Sequence, residues 1–172
     1  MNKPHSSEHK PYFDRYIQLV PNGDFMQVYR QNSLEVAAFF EGVETSKHNY
    51  RYAEGKWTVK DVLMHIIDTE RVMSFRVLVA ARGDNETPLK SVDEDLYARN
   101  VDVSNRSMSS LVDEFLLVRR STELLFENIT EEQSKFLANG VDHPISARAI
   151  GYLLIGHTIH HLNVVKERYL NS

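Results

Sequence analysis

Three histidines of this chain have the side chains and the sequence positions that a metal site requires. His157 and His161 lie one helical turn apart in the apolar run 150–165, and His65 lies in a second apolar run, 59–80. If the two runs form packed helices, three imidazoles converge in an interior where an unpaired nitrogen is costly. A divalent metal ion would bind all three nitrogens at once.

The position of the histidines in an apolar stripe is stronger evidence for a metal site than their spacing. Eight histidines in 172 residues give pairs four residues apart by chance, so the spacing alone is a weak signal. Both histidines of the pair fall in an inward helical stripe where leucine is expected, which reads Ile150, Leu153, Leu154, His157, His161, Val164, Val165. Core histidines that hydrogen-bond to the backbone or to a carboxylate are the alternative interpretation. His65 taken alone would be structural, and it supports a metal site only together with the pair.

The absence of cysteine restricts any metal site to nitrogen and oxygen ligands and excludes disulfides, thiolate zinc sites and iron–sulfur clusters. Three neutral imidazoles leave one coordination position open, as in catalytic zinc sites. Zn²⁺ is therefore the first expectation and Ni²⁺ the second, although iron(II) and copper also accept imidazole. A water molecule or a thiol in the open position would become a nucleophile near neutral pH.

Asp61 and Asp68 are the candidates for a general base, or for a carboxylate that orients a liganding imidazole. They lie four residues before and three residues after His65, on the same helix face. The alternatives are a helix cap for Asp61 and a solvated or salt-bridged carboxylate for Asp68. Thr158 follows His157 where a His-Glu-x-x-His metallopeptidase carries its glutamate, so that mechanism lacks its base.

Two further side chains lie near these residues in the sequence. His160 points about 100° away from His161 on a helix, so we expect it at the surface or behind the ligands. Trp57 precedes the second apolar run, and we interpret it as a residue that staples the helix start and not as a platform for substrate.

Four long helices are predicted to position these residues, because apolar residues recur at spacings of three and four. Capping residues at the starts and glycine or asparagine near the ends set the boundaries. The predicted spans are Asp24 to Gly42, Thr58 to Gly83, the Ser107–Ser110 cluster to Ile129, and Ser146 to about Tyr169. A short helix capped by Thr130 is predicted to end at Asn139-Gly140, and no strand pattern of useful length competes with these helices.

The predicted fold is an all-α four-helix bundle, with residues 1–20 as an N-terminal extension and residues 21–172 as the bundle domain. The connection 84–106 between helices two and three can span ~3.3 Å per residue, enough to return along a whole helix. Helices two and three can therefore be parallel neighbours, and this long crossover would roof a pocket at one end of the bundle.

Composition narrows the classes of partner. A net charge of -4 provides no basic field for nucleic acid. No apolar run reaches the length of a membrane span, so we expect a cytoplasmic protein with a small-molecule substrate. Long bundle helices offer flat faces, which makes a homodimer plausible.

The stretch 51–68, followed by Arg76 and by 156–162, resembles the DinB-like superfamily, and within it the YfiT-like branch of metal-dependent hydrolases and bacillithiol transferases. The resemblance covers roughly residues 21–169. It implies an up-down-down-up four-helix bundle in which the same three histidines hold the metal. It also implies that a low-molecular-weight thiol cofactor or water takes the open coordination position.

On these grounds the sequence predicts a metal-dependent enzyme that acts on a small electrophile, by thiol S-transfer first and hydrolysis second. The alternatives are a non-catalytic, metal-stabilised bundle that serves as a sensor or interaction module, and a bundle whose histidines bind no metal. The segment 91–97 resembles a Tyr-Asp-Glu-x-x-Trp segment of the same branch but carries Val92 and Tyr97 at its aromatic positions. The resemblance therefore implies no particular substrate.

Overall fold

Seven α-helices provide nearly all the regular structure in the computed structural model, which describes residues 1–140 and 142–170. They are α1 (Asp14–Ile17), α2 (Phe25–Glu41), α3 (Val59–Ala81), α4 (Glu94–Asn100), α5 (Met108–Glu127), α6 (Glu131–Ser134) and α7 (Ala147–Val165). The long helices α2, α3, α5 and α7 form a four-helix bundle, so the predicted fold is confirmed. A π-helical turn, Lys166–Leu170, extends α7, and short 3-10 turns occur at Ser6–Glu8, Pro11–Phe13 and Thr45–Lys47. Within the described residues no helix combines the length and apolarity needed to cross a membrane.

Each long helix begins where the sequence predicts, because each start carries a side chain that accepts a hydrogen bond from a backbone N–H of the first turn. The four capping residues are Asp24, Thr58, Ser107 and Ser146. At Thr58 the capping box is complete, since the Asp61 carboxylate accepts from the Thr58 backbone N–H at 2.8 Å. The caps fix where each apolar stripe begins and therefore which side chains face the interior.

Contacts near the helix ends establish the helix directions. Lys60, at the start of α3, donates to the Ser104 carbonyl just before α5 at 2.9 Å, so α3 and α5 are parallel neighbours. Arg30, near the start of α2, pairs with Glu123 and Glu127 at the end of α5, so α2 runs opposite to α5.

The last helix runs parallel to the first long one. The rings of Phe25 and Tyr152, both early in their helices, are 5.3 Å apart, and the Thr158 hydroxyl further along donates to Asn32 at 2.8 Å. The bundle is therefore up-down-down-up, and α2 and α3 each pack against both α5 and α7. The predicted topology is confirmed.

The crossover 84–106 contains a helix that the sequence analysis missed. Asp93 caps α4 by accepting a hydrogen bond from the Leu96 N–H at 2.9 Å, and α4 packs against α3. Its larger apolar side chains, Leu96 and Tyr97, are 44% and 41% exposed. Seven residues with no buried apolar stripe give no periodic signal, so only packing against α3 reveals this helix.

The segment after α5 differs from its prediction. The helix that Thr130 caps ends at Ser134, and Leu137–Ala138 then pairs antiparallel with Ile145–Ser146. Two-residue strands are too short to show alternation in the sequence, and their pairing depends on residues that the turn brings together.

The N-terminal extension packs directly onto α7. A Cβ added at Gly156 would lie 2.0 Å from the Tyr16 carbonyl oxygen, so only glycine permits this approach. Glu8 forms an ion pair with Arg148 and accepts from the Ser146 hydroxyl at 2.7 Å. Burial alone would raise the pKa of Glu8, but the hydrogen bonds, led by that of Arg148, lower it to about 2. The extension is therefore held in place by a closely packed glycine and a partly buried ion pair.

A layer of polar side chains crosses the bundle between its two apolar clusters. Arg119 of α5 is 1% exposed and forms an ion pair with Glu70 of α3, which is 0% exposed. Arg119 also donates to Asn32 and, at 3.2 Å, to Ser33 of α2, and the Tyr29 hydroxyl donates to Glu70 at 2.6 Å. This polar layer ties α2, α3 and α5 together.

Replacing Arg119 by Met is expected to lower the free energy of unfolding by about 3–5 kcal/mol, because the Glu70 carboxylate would stay buried without a counter-charge. Urea unfolding measures the loss. The matched control, Arg120→Met on the same helix, removes an exposed cation that pairs with Glu123 and Glu127 and should cost less than about 1 kcal/mol. Equal losses for the two variants would contradict this view of the polar layer.

Candidate metal centre

The three predicted histidines meet where α3 and α7 pack against each other. The Nε2 atom of His157 lies 3.1 Å from Nε2 of His65 and 3.0 Å from Nε2 of His161. One nitrogen from each ring lies within 4.8 Å of the others, and no other residue of the described chain joins this group. The helical repeat brings the pair on α7 together, and the antiparallel packing of α3 against α7 adds the third ring.

Hydrogen bonding within the group cannot satisfy these nitrogens. A neutral imidazole nitrogen has either one lone pair or one hydrogen, so Nε2 of His157 can pair with only one of its two close neighbours. Ligands at a zinc–nitrogen distance of 2.0–2.1 Å are ~3.3 Å apart in tetrahedral geometry, near the separations observed here. The donor set therefore fits a divalent cation better than it fits a hydrogen-bonded cluster.

The surroundings of the rings keep the imidazoles uncharged. Burial lowers the pKa of His65 from 6.5 to about 4, against a small opposing effect of the Asp95 carboxylate. Burial, reinforced by the other histidines, holds the pKa of His157 and of His161 well below the usual range. Because a metal binds the neutral form of imidazole, this environment favours ligation near neutral pH.

Aromatic side chains surround the imidazoles. The Trp57 ring lies 4.7 Å from the His65 ring. Trp57 also lines an open cleft that leads to the imidazoles, which is a role beyond the stapling of the helix start expected for it. The Tyr16 ring is 5.7 Å from that of His157 and 5.4 Å from that of His160. His160 is partly buried beside His161, with ring centroids 5.1 Å apart, and stays outside the group of three converging nitrogens, as the sequence analysis expected. These rings limit the directions from which a ligand can reach the three nitrogens.

An open cleft of about 530 Å³ leads to the three imidazoles. Its walls are α3 and α7, and the N-terminal extension and the crossover 84–106 contribute its rim. Ser91, Val92 and Glu94 of the crossover line this cleft, so the long crossover borders a pocket, as predicted. The site therefore has one side open to small molecules.

The two candidate carboxylates lie in a smaller cavity that shares His65 with the cleft. Asp61 accepts the capping hydrogen bond of Thr58 and lies 3.7 Å from Arg51, which is the capping role given as its alternative. Burial raises the pKa of Asp68, although Arg71 at 3.5 Å opposes the shift. The ion pair of Asp68 with Arg71 likewise matches the salt-bridged role given as its alternative, and a catalytic role stays a prediction for both.

Sequence reasoning missed several residues of the cleft. Arg15, Tyr16 and Glu94 come from the extension and the crossover, and no periodic pattern in those short segments pointed to the cleft. Val92 lines both cavities and Tyr97 lines the smaller one. The two positions at which this chain departs from the YfiT-like pattern therefore line cavities that His65 also lines.

The chain is thus an up-down-down-up four-helix bundle with three converging histidines that line an open cleft. The family model of the DinB superfamily matches residues 29–165, most of the chain, and the chain belongs to that superfamily. The family expected from the sequence motifs is thus confirmed.

Solved structures similar to this chain include a protein from Bacillus subtilis. The chain resembles YfiT from Bacillus subtilis, described as a probable metal-dependent hydrolase with an unusual four-helix bundle topology, at a TM-score of 0.73 and 21% identity. The match covers 99% of this chain and 93% of YfiT. At this identity the similarity establishes the fold alone. A comparison with curated proteins found no match.

Acid is expected to destabilise the metal-free protein through these histidines. Between pH 6.5 and about 4 the unfolded chain binds a proton at His65 that the folded chain excludes, so the free energy of unfolding falls as the pH falls. The full effect at this one residue is about 3 kcal/mol. Urea unfolding in a chelating buffer should give a shallower pH dependence for His65→Gln, whereas His143→Gln, outside the cleft, should keep it. Identical slopes for all three proteins would contradict the assignment.

Proposed function

We propose that this protein is a metal-dependent enzyme in which His65, His157 and His161 hold a divalent cation, with Zn²⁺ as the first choice and Ni²⁺ as the second. The reaction proposed is transfer of a low-molecular-weight thiol to a small electrophile. The observation that carries the proposal is the convergence of three ring nitrogens at the end of an open cleft.

The number of ligands supports catalysis over a structural role. Structural zinc sites are closed by four protein ligands, whereas catalytic sites keep one position open. The described residues provide three ligands here, and the cleft reaches them from the remaining side. A cation held by the three histidines would supply the Lewis acidity that lowers the pKa of a thiol or a water molecule toward neutrality.

The residues of the chain would perform the remaining steps. The uncharged imidazoles present lone pairs, and the Trp57 ring fixes the position of the His65 ring. Asp68, which shares the smaller cavity with His65, would accept the proton released by the nucleophile, and burial raises its pKa in the direction that a general base needs. In thiol transfer a sulfur–carbon bond forms, the bond from carbon to the leaving group breaks, and the leaving group departs with the electron pair.

The size and lining of the cleft favour a thiol over water as the nucleophile. A volume of about 530 Å³ is many times the ~30 Å³ of a water molecule, so a thiol and an electrophile fit together. Apolar side chains such as Val72, Met73 and Leu154 line the cleft and suit the carbon skeletons of both reactants. Hydrolysis is the second candidate, because the same opening also admits water.

His157→Ala is expected to abolish both stoichiometric metal and turnover. Elemental analysis of protein purified without nickel resin measures the first, and conjugation of 2-mercaptoethanol to 1-chloro-2,4-dinitrobenzene, followed by mass spectrometry, measures the second. His143→Ala, outside the cleft, should retain both. Full activity of the parent protein without metal would exclude the proposal. Metal-dependent stability without turnover of thiols, electrophiles or p-nitrophenyl acetate would favour the non-catalytic bundle.

Asp68→Asn is expected to lower kcat by about a hundredfold or more while metal content is unchanged, as loss of a general base would do. Steady-state kinetics and elemental analysis on the same preparation separate the two effects. Asp113→Asn, an exposed position on α5, is the matched control and should behave like the parent protein. Unchanged kcat in Asp68→Asn would remove Asp68 from the mechanism.

A further inference from the structure

Arg76 is a partly buried cation on the wall of the cleft. Its guanidinium donates to the Lys90 carbonyl at 2.7 Å and contacts the Met73 sulfur at 3.7 Å. In the described part of the chain no acidic residue forms an ion pair with Arg76, and burial lowers its pKa without an opposing carboxylate. Since an arginine has five N–H donors, several remain for a ligand.

The charges around the cleft distinguish Arg76 from its neighbours. Lys10 also lines the cleft but forms an ion pair with Asp142. Arg15 donates to the Tyr16 hydroxyl at 2.7 Å, and no carboxylate of the described residues pairs with it. Glu94 is the acidic side chain on the cleft, and it forms no ion pair with either arginine in the structure. Within the described residues, a protein with a net charge of -4 thus presents in one cleft two arginines that form no ion pair.

The spacing along α3 sets how far Arg76 lies from the histidine site. Arg76 follows His65 by eleven residues, which on a helix is a rise of ~16 Å and a rotation of only about 20°. The cleft between the two is lined by apolar residues of both walls, namely Val72, Met73, Leu153 and Leu154. The cleft therefore passes from the histidines through an apolar section to a cation.

From this arrangement we infer that the cleft takes a carboxylate-bearing small molecule, whose apolar body lies between α3 and α7 and whose carboxylate binds the Arg76 guanidinium. Arginine suits this role because its planar fork matches a carboxylate with two parallel hydrogen bonds. The inference names the substrate class of the proposed function and rests on it only for turnover. Either reactant, the electrophile or the thiol, could carry the carboxylate.

The first experiment compares matched electrophiles with 2-mercaptoethanol as the thiol. The probes are 4-chloro-3-nitrobenzoate and its methyl ester, which share the reacting carbon and differ in charge. If the electrophile carries the carboxylate, the ratio of kcat/KM for acid over ester falls about ten- to a hundredfold from the parent protein to Arg76→Gln, because a charge-assisted hydrogen bond is lost. Comparing this ratio between proteins cancels the intrinsic reactivity of the two probes.

The second experiment moves the charge to the thiol. 6-Mercaptohexanoate and its methyl ester, which have an apolar chain between sulfur and carboxyl group, are compared with 1-chloro-2,4-dinitrobenzene as a neutral electrophile. If the thiol is the partner of Arg76, the preference for 6-mercaptohexanoate over its ester falls in Arg76→Gln, and the electrophile ratio does not. Arg82→Gln, an exposed arginine at the end of the same helix, is the matched control and should change neither ratio. Arg76→Lys keeps the charge and should restore part of the preference.

A binding measurement separates the inference from the proposed chemistry. Isothermal titration of metal-free protein with 4-chloro-3-nitrobenzoate and with 6-mercaptohexanoate should show binding that Arg76→Gln weakens about tenfold or more and Glu94→Gln strengthens. Such binding without turnover of any pair would support the subsite and exclude the thiol-transfer proposal. The opposite result would be turnover in which Arg76→Gln changes neither the preference for charged reactants nor the affinity for the two anions. That result would overturn the carboxylate subsite and leave the proposed function standing.

Discussion

One buried polar layer holds the bundle in register, and the candidate metal centre depends on that register. Arg119 of α5 reaches Glu70 of α3 and Asn32 of α2, and Asn32 accepts from Thr158 of α7, so all four long helices meet in one set of bonds. A helix that slipped by one turn would leave a charge buried without its partner. His65 lies five residues before Glu70, and His157 is adjacent to Thr158, so the same register brings the imidazoles together.

The burial that makes the histidine cluster unfavourable without a cation also prepares it for one. Desolvation lowers the pKa of all three ring systems, which keeps their lone pairs free at neutral pH. Closely spaced nitrogens that cannot all pair with one another gain most from a shared cation. The cleft keeps one side of the cluster accessible, and this access is what distinguishes a reactive site from a closed structural one.

Repeating patterns and local motifs allowed most of the bundle to be predicted. The caps at Asp24, Thr58, Ser107 and Ser146 act within a single turn of chain, so the helix starts could be read from neighbouring residues. His157 and His161 could be identified as converging rings because both fall in one apolar stripe of a single helix. Such local patterns could not predict the helix α4, the contact of the extension with α7, or the two-residue strands. These elements depend on packing partners far away in the sequence.

Local sequence was enough to predict the helices, their inward faces and the types of ligand atom available, since these follow from periodicity, capping chemistry and composition. The packing of the helices was needed to show that His65 meets the pair on α7, that Trp57 lies against His65, and that Arg76 lines the cleft with no acidic partner among the described residues. The difference arises from distance along the chain. Helix formation is settled by residues three and four apart, whereas the cleft is built from four segments whose relative positions depend on buried contacts between helices.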